Sequence, residues 1–179
     1  THYITVIIKL DDTTIVSGSW DKTLRVWDLD NDTFHCIKVL QGHTDRICTV
    51  IKLNETTIVS GSRDKTLRVW NLTNNTLTQV EENIYVEAMN SSYIQTCDKE
   101  LRGHTSSVYS VVKLNETTIV SASWDRTLRV WDLTNTYHCI KVLRGHTHHV
   151  ISVLKLNDTT VISGSKDYTL RVWDLKQFL

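Results

Sequence analysis

An eleven-residue string, Ser-Gly-Ser-Arg-Asp-Lys-Thr-Leu-Arg-Val-Trp at Ser60–Trp70, constrains this chain more than any other feature, because it occurs four times. The other copies are Ser17–Trp27 (SGSWDKTLRVW), Ser121–Trp131 (SASWDRTLRVW) and Ser163–Trp173 (SGSKDYTLRVW). In each, Asp follows the first Ser by four residues and Trp follows Asp by six. The closing tryptophans Trp27, Trp70, Trp131 and Trp173 are separated by 43, 61 and 42 residues. A second landmark, Gly-His-Thr at Gly42-His43, Gly103-His104 and Gly145-His146, keeps the 61 and 42 spacing. The chain is therefore a repeat protein with a unit of 42 residues, and its second unit carries an insertion of roughly 19, about residues 74–92.

Within a unit the pattern is that of strands. In the third, Ser107–Leu114 is apolar and β-branched, Asn115-Glu116 turns, and Thr118–Ser123, Thr127–Leu133 and Tyr137–Leu143 follow as further short strands. No window sustains a 3.6-residue apolar period, so no helix is predicted. Four short antiparallel strands per unit make a propeller blade. The predicted blades are residues 1–41, 42–102, 103–144 and 145–179; the last lacks a fourth strand, because residues 176–179 are too short for one. In the second blade Tyr93–Leu101 is expected to be the fourth strand, with Asp98 and Glu100 marking it as solvent-exposed.

Gly-His, then Asp, then Trp-Asp at these spacings resembles the WD40 repeat, complete in blade three as Gly103-His104, Asp125 and Trp131-Asp132. The resemblance implies an all-β, WD40-type β-propeller with four blades of four antiparallel strands here. It also implies a side-chain tetrad in each blade: His43, Ser60, Asp64 and Trp70; His104, Ser121, Asp125 and Trp131; His146, Ser163, Asp167 and Trp173. Blade one has Ser17, Asp21 and Trp27 without a His. The residue types suit a buried relay. An indole N–H only donates, a hydroxyl accepts it and donates on to a neutral imidazole, and the other imidazole N–H donates to a carboxylate. Ser, His and Asp together also suggest hydrolase chemistry. The Ser stands mid-strand and no G-x-S-x-G occurs, so the tetrads are read as scaffold and the chain as non-catalytic.

Composition bounds the rest. With 40% hydrophobic residues and a formal net charge of zero, the chain shows no bias toward nucleic acid or membrane. Cys36, Cys97 and Cys139 occupy one repeat position and Cys48 another; without Cys-x-x-Cys spacing, they read as reduced, buried thiols in a cytoplasmic protein, with the nucleus as the second location. His146, His148 and His149 lie close together, but none has a Cys or carboxylate at ligand spacing, so no metal and no cofactor is expected. Asn54, Asn115 and Asn157 open sequons that fall in turns, where Asn is favoured by backbone geometry. The insertion is acidic (Glu81, Glu82, Glu87), and Thr76–Val80 with Ile84–Ala88 are expected to pair as a hairpin.

Function is expected where the copies differ. Trp20, Arg63, Trp124 and Lys166 precede the tetrad Asp; Lys22, Lys65 and Arg126 follow it; Arg46 and His149 open the first strand, with Tyr109 two residues beyond the matching Ser107. In the family these loops ring the top of the central channel, so the rim would be basic and aromatic and suited to an acidic or phosphorylated peptide. The string SGSxDxTLRVWD followed by CIKVLxGHT is similar to the WD40 part of F-box/WD40 ubiquitin-ligase substrate receptors, although no F-box helices are present. A nucleic-acid-binding propeller is the alternative of another class. Four blades predict either a segment of a longer propeller or two chains closing an eight-bladed ring, each supplying the other's missing edge.

Overall fold

In a computed structural model describing residues 2–29, 34–73, 93–134 and 136–179, the repeats fold as four β-sheets in series. Blade one is β1 (Ile4–Lys9), β2 (Thr14–Ser19), β3 (Leu24–Asp28) and β4 (His35–Gln41). Blade two starts with β5 (Ile47–Lys52), β6 (Thr57–Ser62) and β7 (Leu67–Asn71); β8 (Tyr93–Thr96) and β9 (Lys99–Leu101) come after it in the chain. Blade three is β10 (Val108–Lys113), β11 (Thr118–Ser123), β12 (Thr127–Asp132) and β13 (His138–Arg144). Blade four is β14 (Val150–Asn157), β15 (Thr160–Ser165) and β16 (Leu170–Asp174), closed by a 3-10 turn at Lys176–Phe178. The four-stranded expectation therefore holds for blade three, and blade four has its three strands.

Blade two departs from the expectation of one continuous fourth strand over Tyr93–Leu101. Only Lys99–Leu101 pairs with β7, antiparallel. Tyr93–Thr96 instead runs parallel to β4 of blade one, Lys38 opposite Tyr93 and Gln41 opposite Thr96, so blade one has five strands. Hydrogen bonds from both flanks fix this: the Gln95 side chain donates to the Asn71 carbonyl at 2.6 Å, and the buried Lys38 ammonium donates to the Leu72 carbonyl. Glu100 is also not a free surface carboxylate, since Arg68 and Arg102 both pair with it, at 3.0 and 2.7 Å. The predicted hairpin in 74–92 lies outside the described residues.

Neighbouring blades pack face to face, and the three joints are built alike. Leu24 and Val26 of blade one meet Ile47, Val50, Ile58 and Trp70 of blade two. Leu67 and Val69 meet Val108, Val111, Ile119 and Trp131. Leu128 and Val130 meet Val150, Val153 and Val161. Strand alternation puts the forward-facing and backward-facing sets on opposite sides of each sheet, so every inner blade is buried on both faces. Each Leu, Val or Ile removed from water this way is worth about 1.5–3 kcal/mol. A lysine pins each joint from below: Lys52 Nζ donates to the Leu10 carbonyl at 2.6 Å, Lys113 Nζ to Leu53 at 2.7 Å, and Lys155 Nζ to Leu114. At Gly103 a positive φ of 158° and the Arg129 guanidinium, 2.6 Å from where a Cβ would stand, both disfavour a side chain.

Candidate functional site

The tetrads form with near-identical geometry. In blade three the Trp131 indole donates to Ser121 Oγ at 2.8 Å, Ser121 Oγ stands 2.8 Å from His104 Nε2, and His104 Nδ1 lies 2.7 Å from Asp125 Oδ2. Blade two repeats this with Trp70, Ser60, His43 and Asp64 at 2.9, 2.8 and 2.6 Å. Blade four does so with Trp173, Ser163, His146 and Asp167 at 2.8, 2.8 and 2.7 Å. Blade one keeps Trp27 donating to Ser17 at 2.8 Å, and the Thr23 hydroxyl donates to Asp21 at 2.6 Å, as Thr66, Thr127 and Thr169 do to Asp64, Asp125 and Asp167. Burial pushes the His43 and His104 imidazoles below the usual histidine value, against the pull of their Asp partners. Burial alone would raise Asp64 and Asp125, but hydrogen bonds from His and Thr outweigh it and hold both carboxyls well below the usual range. A neutral imidazole beside a carboxylate is the state in which every atom is partnered. Ser–His–Asp distances alone would suit a hydrolase, but Ser60 and Ser121 are fully buried and already accept an indole N–H, so no substrate carbonyl reaches them.

The top rim is built from two local devices. First, strand one of every blade carries a bulge: β5 pairs Ile47 with Ser62 and then Thr49 with Gly61, leaving Cys48 as the extra residue. The same shift frees Thr5, Tyr109 and Ile151. A bulge re-aims its side chain out of the pleat. Second, the turn before each third strand holds Lys22, Lys65, Arg126 and Tyr168 at φ of 74°, 75°, 72° and 66°. The residue two before each of these donates its backbone N–H to the start of strand one: Trp20 to Tyr3, Arg63 to Arg46, Trp124 to Ser107 and Lys166 to His149, all between 2.9 and 3.0 Å. Residues some 17 positions apart in sequence therefore share one corner of the rim.

Between blades one, two and three these corners enclose a cleft of about 270 Å³, walled by Trp20, Arg46, Arg63 and Tyr109, with Thr5, Ile47 and Cys48 at its base. The Arg46 guanidinium lies 3.6 Å from the Trp20 ring centroid, a cation–π contact. Among the described residues no carboxylate forms an ion pair with Arg46 or Arg63. Burial pushes the Cys48 thiol up to about 11, so it is a neutral apolar wall. The cysteines are free, as expected, but half-buried rather than fully buried.

A second group adjoins the cleft. Tyr109 stacks on Trp124 at 4.5 Å and 4°, Trp124 stacks on His149 at 4.7 Å and 14°, and the Lys166 ammonium sits 5.0 Å from the Trp124 ring. His149 is also held by a 2.7 Å bond between Nδ1 and the Trp124 carbonyl, where the ring N–H donates. Of the ten rim residues named from the sequence, seven thus fall into two adjoining groups that share Tyr109. Lys22, Lys65 and Arg126 are exposed and do not line the cleft. Sequence reasoning missed Thr5 and Ile47 as cleft residues; the signal was the recurring bulge, which no residue type announces. Among the described residues no group of His, Cys, Asp and Glu is arranged to hold a metal ion, and no helix is long and apolar enough to cross a membrane.

The repeat family described as WD domain, G-beta repeat matches residues 2–28, 34–71, 95–132 and 137–174. The ribosome biogenesis protein WDR12 homolog of Drosophila virilis is 28% identical over 133 residues, 70% of this chain and 30% of that protein. The WD repeat-containing protein pop1 of Schizosaccharomyces pombe is 37% identical over 150 residues, 66% of this chain and 19% of that protein. Cell division control protein 4 of Candida albicans is 64% identical over 33 residues, 18% of this chain and 5% of that protein. The chain spans less than a third of the length of each of these relatives.

Proposed function

We propose, from the premise that this chain belongs to the WD40 (WD domain, G-beta repeat) family, that it is a non-catalytic interaction scaffold whose top rim grips an acidic or phosphorylated peptide. The observation that carries this reading is the cleft with two arginines that have no carboxylate ion-pair partner among the described residues, flanked by stacked aromatic rings. Arginine forks match carboxylate and phosphate oxygens in pairs, and Trp, Tyr and Arg are the side chains most enriched where binding energy concentrates. Arg46, held over the Trp20 ring, is pre-ordered and loses little freedom on binding. Trp124 and His149 extend the grip toward blade four, where Lys166 adds charge.

A ubiquitin-ligase substrate receptor, implied by the F-box/WD40 likeness of the repeat string, is a narrower form of the same reading in which the peptide is phosphorylated. A nucleic-acid partner is less well supported, because the chain carries no net charge. The similarity to proteins named for ribosome biogenesis favours the nuclear alternative over the cytoplasm.

The test is titration of fluorescent acidic peptides, with and without a phosphoserine, against the wild-type chain and its charge-reversed variants. Arg46→Glu with Arg63→Glu is expected to abolish binding, and Arg63→Glu with Arg126→Glu to abolish it too, since Arg63 carries the cleft. Stability should stay within about 1 kcal/mol, because these are rim side chains. Binding that survives both pairs, or binding only of RNA with steep salt dependence, overturns the reading.

A further inference from the structure

The two ends of the sheet series are the two unmated halves of a fourth joint. Blades one, two and three each present a forward face made from Leu and Val of the Leu-Arg-Val-Trp strand, and the leucines of these three copies are fully covered: Leu24, Leu67 and Leu128 are 0% exposed. The fourth copy, Leu170, is 72% exposed, and its companion Val172 is 63% exposed. Leu156 and Leu154 on the same side of blade four are exposed as well, although Leu10, Leu53 and Leu114, which match Leu156, are buried. The backward face is its mirror. Ile47, Val108 and Val150 are buried against the blade before them, as are Val50, Val111 and Val153. Ile4 and Ile7 hold those positions in blade one and are 51% and 61% exposed.

Two smaller features agree. A Cβ at Gly18 or Gly61 would collide with the next blade, with Ile47 at 2.7 Å and Val108 at 2.9 Å, so these glycines serve the joint. Gly164 holds the same position in blade four, where a Cβ meets nothing closer than 3.6 Å. The pinning lysine also has an idle copy: Lys52, Lys113 and Lys155 each reach the carbonyl of the previous blade, whereas among the described residues Lys9 pairs with the exposed Asp12 alone.

We infer that the forward face of blade four takes the backward face of blade one of a second copy of this chain. Both halves have the residue types of the three joints already present, so the partner that fits is another copy of the same sequence. The contact is head to tail, and two such joints close a ring of two chains with four blades each, within the range of blade numbers that propellers adopt. In it Leu170 and Val172 cover Ile4, Ile7 and the half-buried Trp27, and Lys9 donates to the Leu156 carbonyl across the seam. No net charge on either chain opposes the association. Among the described residues β16 is the outer strand of its sheet.

Light scattering on a sizing column tests this with the whole chain. Twice the chain mass of 20.6 kDa is expected. A single-chain mass overturns the inference, as does an open series of larger species. Ile7→Glu and Val172→Lys, both at exposed positions and checked by circular dichroism, are each expected to run as single chains. Mixing the two should restore the double mass, because a mixed pair keeps one native joint and places Glu against Lys in the other. A variant that still doubles alone would mean a face-to-face contact of like ends and would also overturn the inference. These outcomes are independent of peptide binding, which the rim substitutions test separately.

Discussion

Blades three and one share almost the same sequence and end in different states. In blade three Trp131 is 1% exposed, its Ser121 fully buried, and its relay runs unbroken from indole to Asp125. In blade one the same strand carries Trp27 half-buried, and among the described residues the relay runs from Trp27 to Ser17 and no further. Two causes separate them. Blade three has a blade on each side, so its Trp faces Leu67 and Val69, whereas Trp27 faces the open end. Blade three also has His104 to pass the hydrogen bond on. Burial in this fold is thus conferred by the neighbour, and the repeated string specifies only the side chain to be buried.

The comparison breaks most sharply at the tryptophans. Trp131→Ala should cost about 3–5 kcal/mol by cavity formation and loss of the relay, while Trp27→Ala, measured by urea unfolding at high dilution, should cost about half that. Equal costs would mean that the neighbouring blade contributes nothing. Next come the serines. Ser121→Ala leaves a buried indole N–H and a buried imidazole nitrogen without partners and should cost about 1–3 kcal/mol; Ser17→Ala orphans a single donor and should fall at the low end of that range. The smallest effect is in the pH dependence. His104 titrates below its ordinary 6.5 and Asp125 below its ordinary 3.8, so on acidification the unfolded chain takes up protons first in both cases. Stability from this pair is therefore full above about pH 6.5 and is lost as the pH falls, first through histidine and then through aspartate. His104→Gln should flatten the part of the acid slope just below pH 6.5, read from unfolding midpoints across pH, with the rest of the slope retained; an unchanged slope there would show that His104 carries no such linkage.

Much of this was legible in the sequence, and the physical reasons for what was not are specific. The tetrads could be read because a fixed spacing on paired strands brings the same atoms together each time. Seven of ten rim residues were placed in contact because the turn and the strand entry share a backbone hydrogen bond in every blade. Lys22, Lys65 and Arg126 missed the cleft because the left-handed turn conformation directs them elsewhere, a matter of φ and not of residue type. The strand at Tyr93–Thr96 was misassigned because its match to the repeat lies in Cys97, Lys99 and Leu101. The residues before them had no counterpart to copy and joined the edge that was open.

That borrowed strand has a mechanical consequence. The segment entering the last part of blade two is stitched to the rim of blade one, so the chain crosses that boundary more than once. Pulled from its two ends, the molecule should not shed its first blade singly: blade four, with an unpaired outer edge, would peel first, and blades one and two would yield together as one longer extension step. In an optical trap that shared step would be the signature of β8 pairing with β4.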